Sequence, residues 1–137
     1  MKKILFTPIL FAAFALAFAG CAHRGPYLPV NAAVNDLENR ANLVLLDRPA
    51  QNSITCSGVQ ETRLPDGRLQ VAAHLRNREE RRIQVQANCE FKDAQGFVVD
   101  SMPFRNVFFD ENAQEDVMFT SMNTNAVNYT IRVREAK

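Results

Sequence analysis

The hydrophobic pattern divides the chain into three parts. Ile4 to Ala19 is an apolar run without charge, 35–49 carries apolar residues at mixed spacing, and beyond Pro49 polar and apolar residues alternate. The alternation is clearest in "IQVQANCEFK". There Ile83, Val85, Ala87, Cys89 and Phe91 fall on one side, and Gln84, Gln86, Asn88, Glu90 and Lys92 on the other. Successive side chains of a strand point to opposite faces, so this period predicts a strand with one dry and one wet face. "RLQVAAHLRN" repeats it with Val71, Ala73 and Leu75 inward, and "VNYTIRVRE" with Val127, Tyr129, Ile131 and Val133 inward. Turn-forming residues separate the runs: "LPDGR" at 64–68, "NREE" at 77–80, "DAQG" at 93–96 and "DENAQ" at 110–114. Roughly seven short strands at this spacing, without helical crossovers, predict an all-β antiparallel sandwich.

The stretch "NDLENRANLVLLDRP" leaves two elements open. Asn35 followed by Glu38 has the form of a helix N-terminus, and Leu37, Ala41, Val44 and Leu45 lie at helical spacing. "LVLL" alone also suits a short strand, and Pro49 is expected to end either one. A short helix is the expectation carried forward.

The N-terminal run reads as an address. Met1-Lys2-Lys3 is basic, and the apolar stretch behind it contains Pro8 and falls short of the ~20 residues of a bilayer-spanning helix. A basic start, a short apolar core and small residues at its exit describe a secretory signal. Phe18-Ala19-Gly20-Cys21 moreover resembles the bacterial lipobox, in which the cysteine thiol is acylated with diacylglycerol and becomes the first residue after cleavage. The resemblance implies three acyl chains on Cys21. Each buried methylene contributes ~0.8 kcal/mol, so several chains hold stably where one holds only marginally. Ala22, rather than an aspartate resembling an inner-membrane retention signal, points to the periplasmic leaflet of the outer membrane. The expected organisation is a signal peptide over 1–20, a lipidated stalk rich in Gly and Pro over 21–35, and a β-sandwich over 36–137.

Composition then narrows the partners. The formal charge is +1; Lys2 and Lys3 leave with the signal, so 14 basic residues face 15 acidic ones in the mature chain, a net charge of −1. Such a balance offers no electrostatic footprint for nucleic acid. Cys56, in phase with Ile54, and Cys89 both alternate inward. In an oxidising compartment two inward cysteines on different strands are expected to form a disulfide, which would stabilise the fold by roughly 3–4 kcal/mol on the chain-entropy model. The competing reading is two buried free thiols acting as small hydrophobes.

With the strands placed, 63–134 resembles the YcfL family of bacterial envelope lipoproteins. The matching features are "DGRLQVAAHLRN", a strand ending in Asn; "CEFKDAQGF", a strand running into an aromatic-x-Asp-x-x-Gly turn at Phe91, Asp93 and Gly96; and the closing "AVNYTIRVR". The family usually shows tryptophans near that turn, whereas this chain has none and carries Lys92 and "FRNVFF" there. The resemblance implies an immunoglobulin-like sandwich and supplies no catalytic residues or cofactor.

Candidate chemistry is sparse. A catalytic nucleophile needs a base oriented by a third group. The two histidines are His23, in the stalk, and His74, which alternates outward and reads as a solvated sheet-face residue. Asp93, Asp100, Asp110, Glu111, Glu115 and Asp116 fall at turns or edges, without the spacing of a calcium loop. Met102, Met118 and Met122 lack the tight spacing of a soft-metal site, and no metal or cofactor is expected. "RNREERR" at 76–82 mixes both charge signs at a turn. The oddest stretch is "MPFRNVFFDE". Phe108 and Phe109 must face opposite sides of a strand, so a bulge near Asn106 shifts the phase, or the N-terminal segment covers the outer ring, or an exposed patch results. On the last reading Phe104, Phe108, Phe109 and Met118 are the candidate partner surface. The expected function is a non-catalytic interaction or scaffolding module of the cell envelope. The alternative is a structural component touching peptidoglycan or another envelope polymer through "RNREERR". An enzyme using His74 would need that residue in a pocket beside a carboxylate and a hydroxyl.

Overall fold

The computed structural model describes residues 42–136. The expected signal peptide, Cys21, His23, the expected stalk and the cap proposed at Asn35 therefore lie outside the described residues. The described chain runs β1 (Leu43–Leu45), α1 (Arg48–Ser53), β2 (Ile54–Arg63), β3 (Leu69–Asn77), β4 (Ile83–Lys92), β5 (Val98–Ser101), β6 (Arg105–Phe109), β7 (Gln114–Thr120) and β8 (Asn128–Glu135). These strands form two sheets. One has the order β1-β8-β4 with both β5 and β6 on the far side of β4; the other is β2-β3-β7. The expected β-sandwich is what the chain forms.

The alternating runs behave as their period requires. Ile83, Val85, Ala87, Cys89 and Phe91 of β4, Val71, Ala73 and Leu75 of β3, and Tyr129, Ile131 and Val133 of β8 are all buried in one core between the sheets. β4 organises its sheet: one edge pairs with β8 along Val85–Lys92, the other with β6 near its start and β5 near its end. Tyr129 clasps the two sheets, its hydroxyl donating to Glu61 of β2 at 3.0 Å. Burial, then that hydrogen bond, pushes its phenol pKa up.

Three expectations are corrected here. The "LVL" segment is a strand, paired parallel with β8 through Leu43–Ile131, Val44–Arg132 and Leu45–Val133. All three of its side chains are buried, and a strand buried on both faces has no alternation to read. Pro49 opens a helix instead of ending one. Asp47 caps α1 by accepting from the Ala50 N–H at 2.8 Å, and a proline in the first turn has no N–H to leave unsatisfied. Val127, expected inward, is exposed, whereas Asn88 and Lys92, expected on a wet face, are buried. Their polar groups are met across the sheet: Lys92 donates to Thr130 at 2.9 Å, and Asn88 accepts from Arg132 at 3.1 Å.

The strand directions give the sandwich two distinct ends. Because β1 is parallel to β8, the described chain begins at the end where β8 begins, and Asn42 accepts there from the Ile131 N–H at 2.8 Å. This proximal end also gathers the turns 64–68 and 93–97 and the loop 121–127. The distal end carries α1, the connection 78–82, the turn 110–113 and Ala136.

Candidate interaction surface

The distal end is held by one buried side chain. Asn77, the last residue of β3, is fully buried. Its amide donates to the carbonyls of Arg81 at 2.7 Å and Asp110 at 2.8 Å, while its oxygen accepts from the Glu79 N–H at 2.9 Å. One asparagine thus fixes the 78–82 connection against the 110–113 turn. Glu79 adds a second tie, accepting from the Ser53 hydroxyl and from Arg81. Those donors, the Ser53 hydroxyl first, hold its carboxyl below its usual range.

On this fixed end lies a groove of about 400 Å³, lined by α1, the 78–82 connection, the start of β4 and the end of β8. Arg81, Arg82, Glu79 and Glu135 give it mixed charge. A second groove of about 340 Å³ runs between the facing edges of β6 and β7. Phe108 stands between the two. It lines the β6–β7 groove, pairs across the sheet with Gln84 of the distal groove, and has the Arg82 guanidinium 5.3 Å from its ring centre. Arginine over an aromatic face is favourable by ~0.5–1 kcal/mol at exposed sites. Phe108 is 52% exposed.

The aromatic run resolves without a bulge. β6 keeps an unbroken register with β4 from Ile83–Phe109 to Ala87–Arg105, so Phe109 enters the core and Phe108 faces outward. Phe109 is therefore a core residue and not part of a partner surface. Met118 is also separated from the patch. Val117 and Phe119 point into the core, so Met118 stands on the outer face of the three-stranded sheet, whereas Phe108 stands on that of the five-stranded one. Phe104 does share that face with Phe108. It is half-buried, with the Arg134 guanidinium 3.8 Å and that of Arg132 5.7 Å from its ring centre. The surface that remains is an arginine–aromatic one built on Phe108 and Phe104.

Cys56 and Cys89 are free, so the expected bridge is not formed. They lie on β2 and β4, in opposite sheets, and the Cys56 thiol donates to the Gly58 carbonyl at 3.2 Å, where a register shift interrupts β2. Burial raises the Cys56 thiol and pushes Cys89 up to about 12. His74 faces Asp116 directly across β3 and β7 and is hydrogen-bonded to it, with both side chains exposed on the sheet surface. The carboxylate is thus present, but His74 is exposed on the sheet face and lines neither groove, so water reaches the pair. Among the described residues no three His, Cys, Asp or Glu side chains form a cluster able to hold a metal.

The model of the family described as "Protein of unknown function (DUF1425)" matches residues 41–135. The chain belongs to the DUF1425 family. A crystal structure of a DUF1425 member from Shewanella sp. pv-4 is similar to it with a TM-score of 0.56 at 21% identity, covering 61% of this chain and 79% of that one. The crystal structure of Campylobacter jejuni cj0090 gives a TM-score of 0.56 at 13% identity, covering 69% of this chain and 98% of that one. At these identities the likeness concerns the fold. No curated protein matches the chain. The DUF1425 match names no catalytic activity, so the surface geometry carries the functional argument.

Sequence reasoning passed over Asn77 as more than a strand end, and over Arg82, Arg132 and Arg134 as partners of the phenylalanines. The available signal was the pair of arginines at alternating positions 132 and 134 of the closing strand, on the face opposite its core residues.

Proposed function

We propose that this DUF1425 protein is an acylated envelope lipoprotein of the YcfL type, anchored through Cys21 in the periplasmic leaflet of the outer membrane. Its β-sandwich is a non-catalytic module that binds another envelope protein at the distal end. The N-terminal sequence supports the address. The observation that carries the binding role is Phe108: a half-exposed aromatic side chain on a regular strand, held under Arg82 between two grooves. Aromatic and arginine side chains in well-packed settings are enriched among residues that dominate interface energetics. The test is a photo-crosslinking amino acid introduced in cells at position 108 and, separately, at position 118 on the opposite face. A single defined protein adduct at 108 and none at 118 is expected. Equal adducts at both positions, or none at 108, would overturn the assignment.

A second reading has its own observation. Arg81 and Arg82 of "RNREERR" line the distal groove with largely exposed side chains, a geometry suited to an anionic envelope polymer. Salt-sensitive co-sedimentation with purified peptidoglycan that is lost in Arg81→Ala/Arg82→Ala would favour it over a protein partner.

A further inference from the structure

We propose that the proximal end of the sandwich rests against the lipid leaflet, with Phe97, Val98 and Met122 entering its interfacial layer. Four of the six most exposed large hydrophobic side chains among the described residues, Phe97, Val98, Met122 and Val127, gather at this end. Phe97 and Met122 are each 72% exposed.

Their exposure is imposed by the backbone. Asp93 accepts from the N–H groups of Gln95 and Phe97 through one carboxylate oxygen, at 2.9 Å each, and its own N–H donates to the Phe97 carbonyl at 2.9 Å. Gly96 supplies the positive φ of 89° that the turn requires. Phe97 is thereby held out from the sandwich. The neighbouring loop is tied to β5, since the Met122 N–H donates to Asp100 at 2.6 Å and the Asn123 amide to the Val99 carbonyl at 2.8 Å. Val127 N–H donates to the Lys92 carbonyl at 2.9 Å, and Lys92 pairs with Val98 across the sheet. Two separate segments thus present apolar side chains at one end.

The path of the chain selects the occupant. The described residues start at Asn42 on this same end, and 21–41 connect it to Cys21. The inference rests on acylation of Cys21, which draws the proximal end toward lipid and leaves the distal groove facing the periplasm. Among the described residues no helix is long and apolar enough to cross a membrane, so the contact is peripheral. The local charge does not favour anionic lipid. Arg68 is paired with Asp66 at 2.6 Å, and the charge of Arg63 is offset by Asp93 and Asp100, which hold the Phe97 and Met122 turns. The contact is apolar, reaching ~5–10 Å into the boundary of headgroups and acyl chains.

The chain contains no tryptophan, so one introduced residue reports without background. The full-length protein is exported, purified and weighed by mass spectrometry to establish the state of Cys21. It is then placed in phosphatidylethanolamine–phosphatidylglycerol vesicles whose acyl chains carry bromine. Phe97→Trp and Met122→Trp should emit at shorter wavelength and lose emission to bromine at this depth, whereas Phe108→Trp should do neither. Added salt should leave the loss unchanged. Equal responses at positions 97 and 108 on an acylated chain would overturn the docking and leave the anchor standing. A bare sulfur would remove the anchor. The docking is then judged by the unacylated chain in the same vesicles, where loss at 97 but not 108 supports it and no loss overturns it. A blue shift that follows protein concentration without vesicles would assign this end to a second copy and overturn the proposal.

Discussion

Replacing Asn77 by alanine should unfasten the distal end. The side chain makes three hydrogen bonds, to the Arg81 and Asp110 carbonyls and the Glu79 N–H, and is fully buried. Each such bond contributes a net ~0.5–1.5 kcal/mol, so Asn77→Ala should cost roughly 2–4 kcal/mol. With a urea slope of ~1–3 kcal/mol per molar, the unfolding midpoint should fall by about 0.7–4 M. Asn77→Asp separates lost bonds from a mere void. It keeps the volume but faces two carbonyls with a carboxylate, whose folded-state pKa must therefore rise. A raised folded-state pKa contributes stability below the unfolded value near ~3.9, and that contribution is lost as pH rises through the folded value. The deficit of Asn77→Asp should consequently be smallest in acid and grow toward neutrality, while that of Asn77→Ala stays nearly flat. Urea titrations at several pH values read both. A midpoint change under about 0.3 M for the alanine variant, or parallel pH profiles, would refute the role given to Asn77.

The two adjacent phenylalanines should separate sharply: Phe109→Ala, in the core, should cost ~3–5 kcal/mol, and Phe108→Ser within about 1 kcal/mol, both measured by urea unfolding. Glu79 is held below its usual 4.5 by Ser53 and Arg81, so its stabilising contribution is present above 4.5 and lost as pH falls through the lower folded value. The stability gap between the natural chain and Glu79→Gln should therefore close in acid. Because Cys56 and Cys89 are free, a reducing agent should leave the melting temperature unchanged, whereas loss of a bridge would lower it by roughly 4–8 °C for each kcal/mol removed.

The alternating strands were legible because a two-residue period is a local property. A single strand of "IQVQANCEFK" already states which side chains meet the core, and the turns at 64–68 and 93–96 state where the chain reverses. The same logic failed at "LVLL", where a strand buried on both faces lacks a period, and at Pro49, whose meaning depended on Asp47 capping the turn before it. The candidate surface was half legible. Phe108 and Phe109 had to part company, but no local rule decided which of them faced outward.

The amino-acid sequence by itself determined that the chain builds sheets, which faces of the long strands are dry, and that its N-terminus carries the features of a lipoprotein address. Only the tertiary structure decided that Met118 and Phe108 stand on opposite faces and that three arginines cover two phenylalanines. It likewise decided that Asn77 locks two distant loops, that two inward cysteines stay unbridged, and that Phe97 and Met122 share the end at which the described chain begins. The reason is range. Periodicity and turn chemistry act between residues a few positions apart, whereas these contacts join segments brought together by strand pairing and the stacking of two sheets.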